Sequence, residues 1–201
     1  MTLHKPVYEN SPEGCTNFQQ QVAIACAPCC QIGTERLAEF ANEVGCLMPN
    51  LSIALYQPDI AGNTGTILRL AACLGLKVEI VEPAGFDTSD RNLKRAGMDY
   101  LETVLLTRHL DWQHFETWRE ATGRRLVLAS TKAAVRYTDF AFRQDDILLF
   151  GRESAGVPEH VHEKADARVL IPMVASQRSI NIAMSVAMIA GEALRQTGFG
   201  S

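Results

Sequence analysis

The chain has 201 residues, 47% of them hydrophobic and 21% charged, enough apolar material for one well-buried globular domain. A formal net charge of −4 argues against non-specific coating of nucleic acid. No apolar run approaches the length of about 18 residues that marks a membrane span, and no basic-then-apolar leader opens the chain, so the expected compartment is the cytoplasm.

In chain order, residues 1–47 come first and differ from the rest. They hold 2 Lys and Arg against 5 Asp and Glu, whereas the chain from Met48 onward holds 17 against 18. Cys15, Cys26, Cys29, Cys30 and Cys46 also fall there, and only Cys73 lies beyond. Cys26-Ala-Pro-Cys29 offers half of a zinc-ligand spacing, but no second CxxC or paired His answers it, so no metal is expected. Residues 1–47 therefore read as an extension of unknown role, disordered or a misassigned start, and 48–201 as the domain.

From Leu51 strands and helices alternate. Leu51–Tyr56 is a short apolar strand, Pro58–Gly62 a turn, and Asn63 or Thr64 caps a helix that Gly75 closes after Leu74. Val78–Val81 is a second strand, Ser89 caps a helix through about Ala96, and Thr103–Leu106 is a third strand. Trp112–Ala121 reads as a helix with Phe115 and Trp118 on one face. Arg125–Ala129, Asp146–Phe150 and Arg168–Ile171 complete about six strands, and Asn181–Gln196 forms a last helix that is apolar nearly all round. The order predicts an α/β fold: a mainly parallel sheet with helices on both faces. So apolar a last helix must be buried on more than one side, either as a central core helix or in part against a second subunit; the second reading predicts a homodimer. The basic clusters, Arg91 with Lys94 and Arg95, and Arg124 with Arg125, are by default solvated helix faces, with a local phosphate site left open.

Chemistry concentrates in three places. Leu148-Leu-Phe-Gly-Arg-Glu-Ser-Ala-Gly-Val-Pro158 and Leu170-Ile-Pro-Met-Val174 each run a buried strand into a turn of Gly, Pro and small polar residues. Gln177-Arg-Ser-Ile-Asn181 then opens the last helix. Loops at the carboxyl ends of buried strands offer N–H and C=O groups to a ligand, and Gly lets the main chain come close, so a small polar cofactor is expected.

Together with Asn63-Thr-Gly-Thr-Ile-Leu-Arg69, these segments resemble the SPOUT superfamily of RNA methyltransferases, in its SpoU branch of ribose 2′-O-methyltransferases. Within that branch the likeness is nearest to the small enzymes that modify the wobble ribose of tRNA. Leu55-Tyr-Gln-Pro-Asp-Ile60, Val81-Glu-Pro-Ala-Gly-Phe86, Arg95-Ala-Gly-Met-Asp-Tyr100 and Thr107-Arg-His109 carry it too, so that it covers about Leu51 to Gly198. The resemblance implies a C-terminal trefoil knot, an exception to the rule against threading. It also implies S-adenosylmethionine held around Ala129, Gly151, Ile171 and Ser179, and a homodimer built from the first and last helices. The implied catalytic set is Arg69, Asn63, Glu153, Ser179 and Asn181, acting on a tRNA anticodon stem-loop. Arg69, Arg152 and Arg178 would meet RNA phosphate. An Arg is a poor base on intrinsic grounds, so anchoring phosphate and positioning the 2′-oxygen suit Arg69 better. Glu153 would orient Arg69 or hold backbone N–H groups. Arg152 departs from the family pattern, which has Pro there; this touches fine substrate choice and not the reaction.

Two other readings stand beside this one. The same fold could methylate another tRNA position or ribosomal RNA, although no separate RNA-binding domain accompanies it. A nucleotide-binding oxidoreductase or regulatory module on a doubly wound sheet would want a G-x-G-x-x-G after the first strand, and none is there.

Overall fold

The computed structural model describes residues 50–89, 104–175, 177 and 179–198. The expected extension at 1–47, the start at Met48, the helix after Ser89, the cluster of Arg91, Lys94 and Arg95, and Arg178 lie outside the described residues.

The described elements are β1 (Ser52–Tyr56), α1 (Ala61–Leu74), β2 (Lys77–Val81), β3 (Leu105–His109), α2 (Trp112–Thr122), β4 (Leu126–Ala129), β5 (Val135–Arg136), β6 (Ile147–Phe150), α3 (Glu159–Lys164), β7 (Ala167–Leu170) and α4 (Ile182–Thr197). A single 3-10 turn, Tyr137–Asp139, follows β5. Among the described residues seven strands form one sheet in the order β3-β2-β1-β6-β4-β7-β5, and every pair in it is parallel. Each of the central strands β1 and β6 is buried along its whole length, as a sheet covered on both faces requires.

Side-chain alternation divides those strands between two cores. Ile53, Leu55, Val78, Ile80, Val127, Leu148 and Phe150 face α1 and α4, which contribute Ile67, Leu68, Ala71, Val186, Ile189, Ala190 and Leu194. Ala54, Tyr56, Leu126, Leu128, Ile147 and Leu149 face the other way, toward Phe115 of α2 and Val161 of α3. The doubly covered parallel sheet is therefore as expected, with seven strands where about six were read. The extra one is β5, two exposed residues with no apolar run to betray them.

Two boundaries move, and the reading of one basic pair changes. Helix α1 starts at Ala61 with Ile60 as an extended cap residue lacking a side-chain bond, so Asn63 and Thr64 sit inside its first turn and cap nothing. The third strand is Leu105–His109, because register with β2 sets His109 opposite Val81 and lets its ring bond buried Glu79 at 2.9 Å. Arg124 and Arg125 are neither a helix face nor a phosphate site. Arg124 is buried and donates to Asp145 O at 3.0 Å and Ser52 Oγ at 2.8 Å, and burial lowers its pKa; Arg125 pairs with fully buried Asp146 through Nε–Oδ1 at 2.8 Å and Nη2–Oδ2 at 2.7 Å. Two cations are thus consumed in tying together the amino ends of β1, β4 and β6.

The sheet order has one consequence for the site. Strand β7 lies between β4 and β5, and β6 between β1 and β4, so chain that arrives late fills positions between strands laid down earlier. The carboxyl ends of β4, β6 and β7 are therefore adjacent.

Candidate active site at the carboxyl ends of three strands

A cleft of about 580 Å³ opens where those strand ends meet. That falls within the range of roughly 300–1,000 Å³ usual for small-molecule sites, in the place expected of an open α/β sheet. Its lining is in part aliphatic, with Ala129, Val157, Val169, Ile171 and Ile189, and in part polar, with Asn63, Glu153, Ser179 and Asn181. Ala129, Gly151, Ile171 and Ser179, read as cofactor contacts, all line it.

Gly151 ends β6 and opens a loop that closes on itself. Arg152 N–H donates to Gly156 O at 3.0 Å, and Gly156 N–H donates back to Arg152 O at 2.9 Å. A Cβ on Gly151 would lie 2.5 Å from Gly156 C. The missing side chain thus serves the closure of the loop itself, where the sequence suggested close approach to a ligand. Gly156 takes φ +68, the left-handed turn that brings the loop back.

Glu153, Asn63 and Asn181 form one connected network. The Glu153 carboxylate accepts the Asp59 N–H at 2.8 Å through Oε2 and Asn63 Nδ2 at 3.2 Å through Oε1. Asn63 Oδ1 in turn accepts Asn181 Nδ2 at 3.1 Å, and Asn181 Oδ1 caps α4 by accepting Ala183 N–H at 2.9 Å. Every amide orientation in the chain is fixed by its partner. Of the two tasks read for Glu153, holding a backbone N–H is the one seen, together with fixing Asn63. The displaced helix start explains itself here: Asn63 is spent across elements and is not available to cap α1. Asn181 does cap α4 as expected; Ser179 is exposed and lines the cleft.

Asp59 joins the rim. Its carboxylate accepts Ser154 Oγ at 2.6 Å and Ser154 N–H at 3.0 Å, and it pairs with Arg152 at 2.8 Å. The Ser154 hydroxyl first, then the Arg152 guanidinium, hold the Asp59 pKa down at about 2, and the same carboxylate raises that of Arg152. Sequence reading missed Asp59; its place one residue after Pro58 in a turn gave no sign of a partner 93 residues away. Gly85 packs on the other side of Asp59 and donates its N–H to Pro58 O at 2.8 Å, so the loop after β2 buttresses the rim.

Arg152 lines the cleft with its side chain 41% exposed. Arg69 does not line it: it is exposed on α1, six residues past Asn63, about 9 Å along and a third of a turn around the helix. No group of three or more His, Cys, Asp or Glu able to hold a metal occurs among the described residues. Nor is any helix among them long and apolar enough to cross a membrane.

Residues 50–191 match the model of the SpoU rRNA Methylase family. A tRNA (cytidine(34)-2′-O)-methyltransferase of Beijerinckia indica is 63% identical over 146 residues, covering 73% of this chain and 91% of that protein. Its counterpart in Escherichia coli K12 is 38% identical over 151 residues, 74% of this chain and 95% of the relative. Among solved structures, one described as giving structural insights into the 2-OH methylation of C/U34 on tRNA superposes with a TM-score of 0.66 at 40% identity, over 73% of this chain and 95% of that one. The SpoU methyltransferase AviRb of Streptomyces viridochromogenes, in complex with AdoMet, gives a TM-score of 0.66 at 29% identity, over 72% and 57% of the two chains.

Proposed function

The chain belongs to the SpoU methylase family, and from that premise we propose that it transfers a methyl group from S-adenosylmethionine to the ribose 2′-oxygen of the wobble nucleotide, cytidine or uridine 34, of tRNA. The observation that carries the reading is identity of 63% across 91% of a relative of that activity. The cleft suits the cofactor: its aliphatic lining accommodates a heteroaromatic base, and its polar lining the charged amino-acid end.

Bound there, the cofactor supplies an electrophilic methyl on a sulfonium that is already a good leaving system. The protein's remaining task is to bring a 2′-hydroxyl into line and ease its deprotonation. Glu153, Asn63 and Asn181 form a prearranged polar surface whose members hold each other's orientation before any ligand arrives, which avoids reorganisation at the moment of reaction. Ser179, in the lining of the same cleft, offers a hydroxyl to cofactor or ribose. Arg69, exposed on α1 outside the lining of the cleft, anchors RNA phosphate and by that hold positions the 2′-oxygen. Arg152 adds a phosphate contact at the rim, where Asp59 holds its guanidinium ready, and Arg178 is a further contact to RNA phosphate. The C-terminal segment is threaded as a trefoil knot, the enzyme works as a homodimer, and a tRNA substrate places it in the cytoplasm with no need of a metal.

Methyl transfer from labelled S-adenosylmethionine to unfractionated tRNA from a strain lacking the modification tests the reading, with nucleoside mass spectrometry and mapping of the product. Arg69-dependent 2′-O-methylcytidine or 2′-O-methyluridine at the wobble position is expected, with Arg69→Ala lowering the rate by at least about 100-fold. Product in ribosomal RNA alone would move the target, and absence of cofactor binding would overturn the activity. A chain starting at Met48 that melts at the same temperature and turns over at the same rate would mark residues 1–47 as dispensable.

A further inference from the structure

Four buried side-chain polar atoms have no hydrogen-bond partner among the described residues: Thr64 Oγ1, His109 Nδ1, Glu116 Oε2 and His162 Nε2. Of these residues only His162 lines the cleft. A buried polar atom without a partner is costly to the fold, and one bordering a ligand site is most economically explained by a partner that the ligand brings.

His162 is held firmly where it stands. It lies in the last turn of α3, and its carbonyl accepts both Nε and Nη2 of Arg168 from β7, at 3.1 and 2.9 Å. The preceding residue, Val161, is fully buried in the same core that Val157 packs against. His162 thus enters the lining of the cleft from α3, whereas Asn63 and Asn181 come from α1 and the cap of α4; Ala129, Val157 and Val169 line the same cleft. Beside its apolar lining the cleft therefore offers, in His162 Nε2, one buried nitrogen able to donate or accept, according to tautomer. It suits a purine, whose faces are apolar and whose edge carries ring nitrogens and an amino group.

We propose that His162 is a cofactor-contacting residue whose Nε2 hydrogen-bonds the adenosine portion of the cofactor, fixing the base in the cleft. The inference rests on the methyltransferase reading and adds one side-chain hydrogen bond, at the adenosine portion, to the contacts of the cofactor. It assigns His162 no part in proton transfer.

Calorimetric titration of the full chain with S-adenosylhomocysteine, and separately with 5′-methylthioadenosine, tests it on wild type, His162→Leu and His162→Gln. His162→Leu should weaken both ligands by roughly 10-fold, the worth of one neutral hydrogen bond, while His162→Gln, which keeps a polar atom near Nε2, stays within about 3-fold of wild type. The ligand-free His162→Leu protein should melt no lower than wild type, because an unpartnered buried nitrogen has been removed. Unchanged affinity in His162→Leu overturns the proposal. So does a loss seen with S-adenosylhomocysteine alone, which would put the contact at the amino-acid end, and so does equal weakening by Leu and Gln with a lowered melting temperature, which would make the role packing. A wild-type protein that binds neither nucleoside would instead sink the methyltransferase reading itself.

Discussion

Gly151 shows how little freedom single positions in the cleft possess. The Cβ that Ala would add lies 2.5 Å from Gly156 C and 2.9 Å from its Cα, all backbone, and reciprocal hydrogen bonds between Arg152 and Gly156 prevent either side of the loop from stepping back. Gly151→Ala should therefore open the loop, weaken S-adenosylmethionine by more than about 10-fold in calorimetry, and lower stability by about 1–3 kcal/mol in urea unfolding, the usual cost of overpacking. Wild-type affinity in that variant would show that the loop relaxes freely. Asp59 makes a different kind of claim. Its folded pKa of about 2 lies below its ordinary 3.8, so its contribution to stability is fully present above about pH 4 and is lost as pH falls toward 2. Asp59→Asn should remove that dependence, so that the stability difference between wild type and variant shrinks between pH 4 and pH 2. Denaturant unfolding across that range checks it; a difference independent of pH would mean that the Ser154 and Arg152 bonds do not discriminate between the carboxylate and the acid.

At the scale of elements, α4 joins fold to site through one side chain. Asn181 Oδ1 caps the helix while its Nδ2 reaches Asn63, so the two tasks separate by substitution. Asn181→Ser retains a cap but is too short to hold Asn63; stability should stay within about 0.5 kcal/mol of wild type while methyl transfer falls at least 10-fold. Asn181→Ala loses both, at a cost of about 1 kcal/mol. Thermal melts beside single-turnover rates would distinguish them, and equal rates in wild type and Asn181→Ser would remove the network from catalysis. The cap was legible in the sequence because Asn before an apolar helix has a local meaning. So was the alternation of β1, α1 and β2, whose periods are local as well. What was not legible is what long-range pairing decides: that Asn63 leaves its own helix cap for Glu153, 90 residues on, that Arg124 and Arg125 clamp strand ends, and that two exposed residues make β5 by pairing with β7. The six-residue α3 escaped notice for the related reason that a single buried residue, Val161, sets no period. His162 went unread with it.

At the scale of the whole molecule the apolar last helix poses the question that remains. Its inner face is spent on the core through Ala183, Val186, Ile189, Ala190, Ala193 and Leu194, yet Met184 stays 58% exposed, with Ile182, Ala187 and Met188 half-buried beside it. Apolar residues on a helix face left to water gain nothing, and α1, which packs against α4, leaves exposed the Ile60 that precedes it. A second copy of the chain meeting this face through its own α1 and α4 would bury the strip in a closed two-fold contact, the commonest arrangement of homo-oligomers. Met184→Asp places a charge at the centre of such a contact and at no cost to a surface that faces water. Sedimentation at micromolar concentration should then show a dimer for wild type and a monomer for the variant, with the far-ultraviolet spectrum unchanged. A wild-type monomer would overturn the dimer, and a variant that remains dimeric would move the interface off this face. Because the cleft is lined within one copy by Asn63, Glu153, Ser179 and Asn181 together, the monomeric variant should keep measurable affinity for S-adenosylhomocysteine even where methyl transfer is lost.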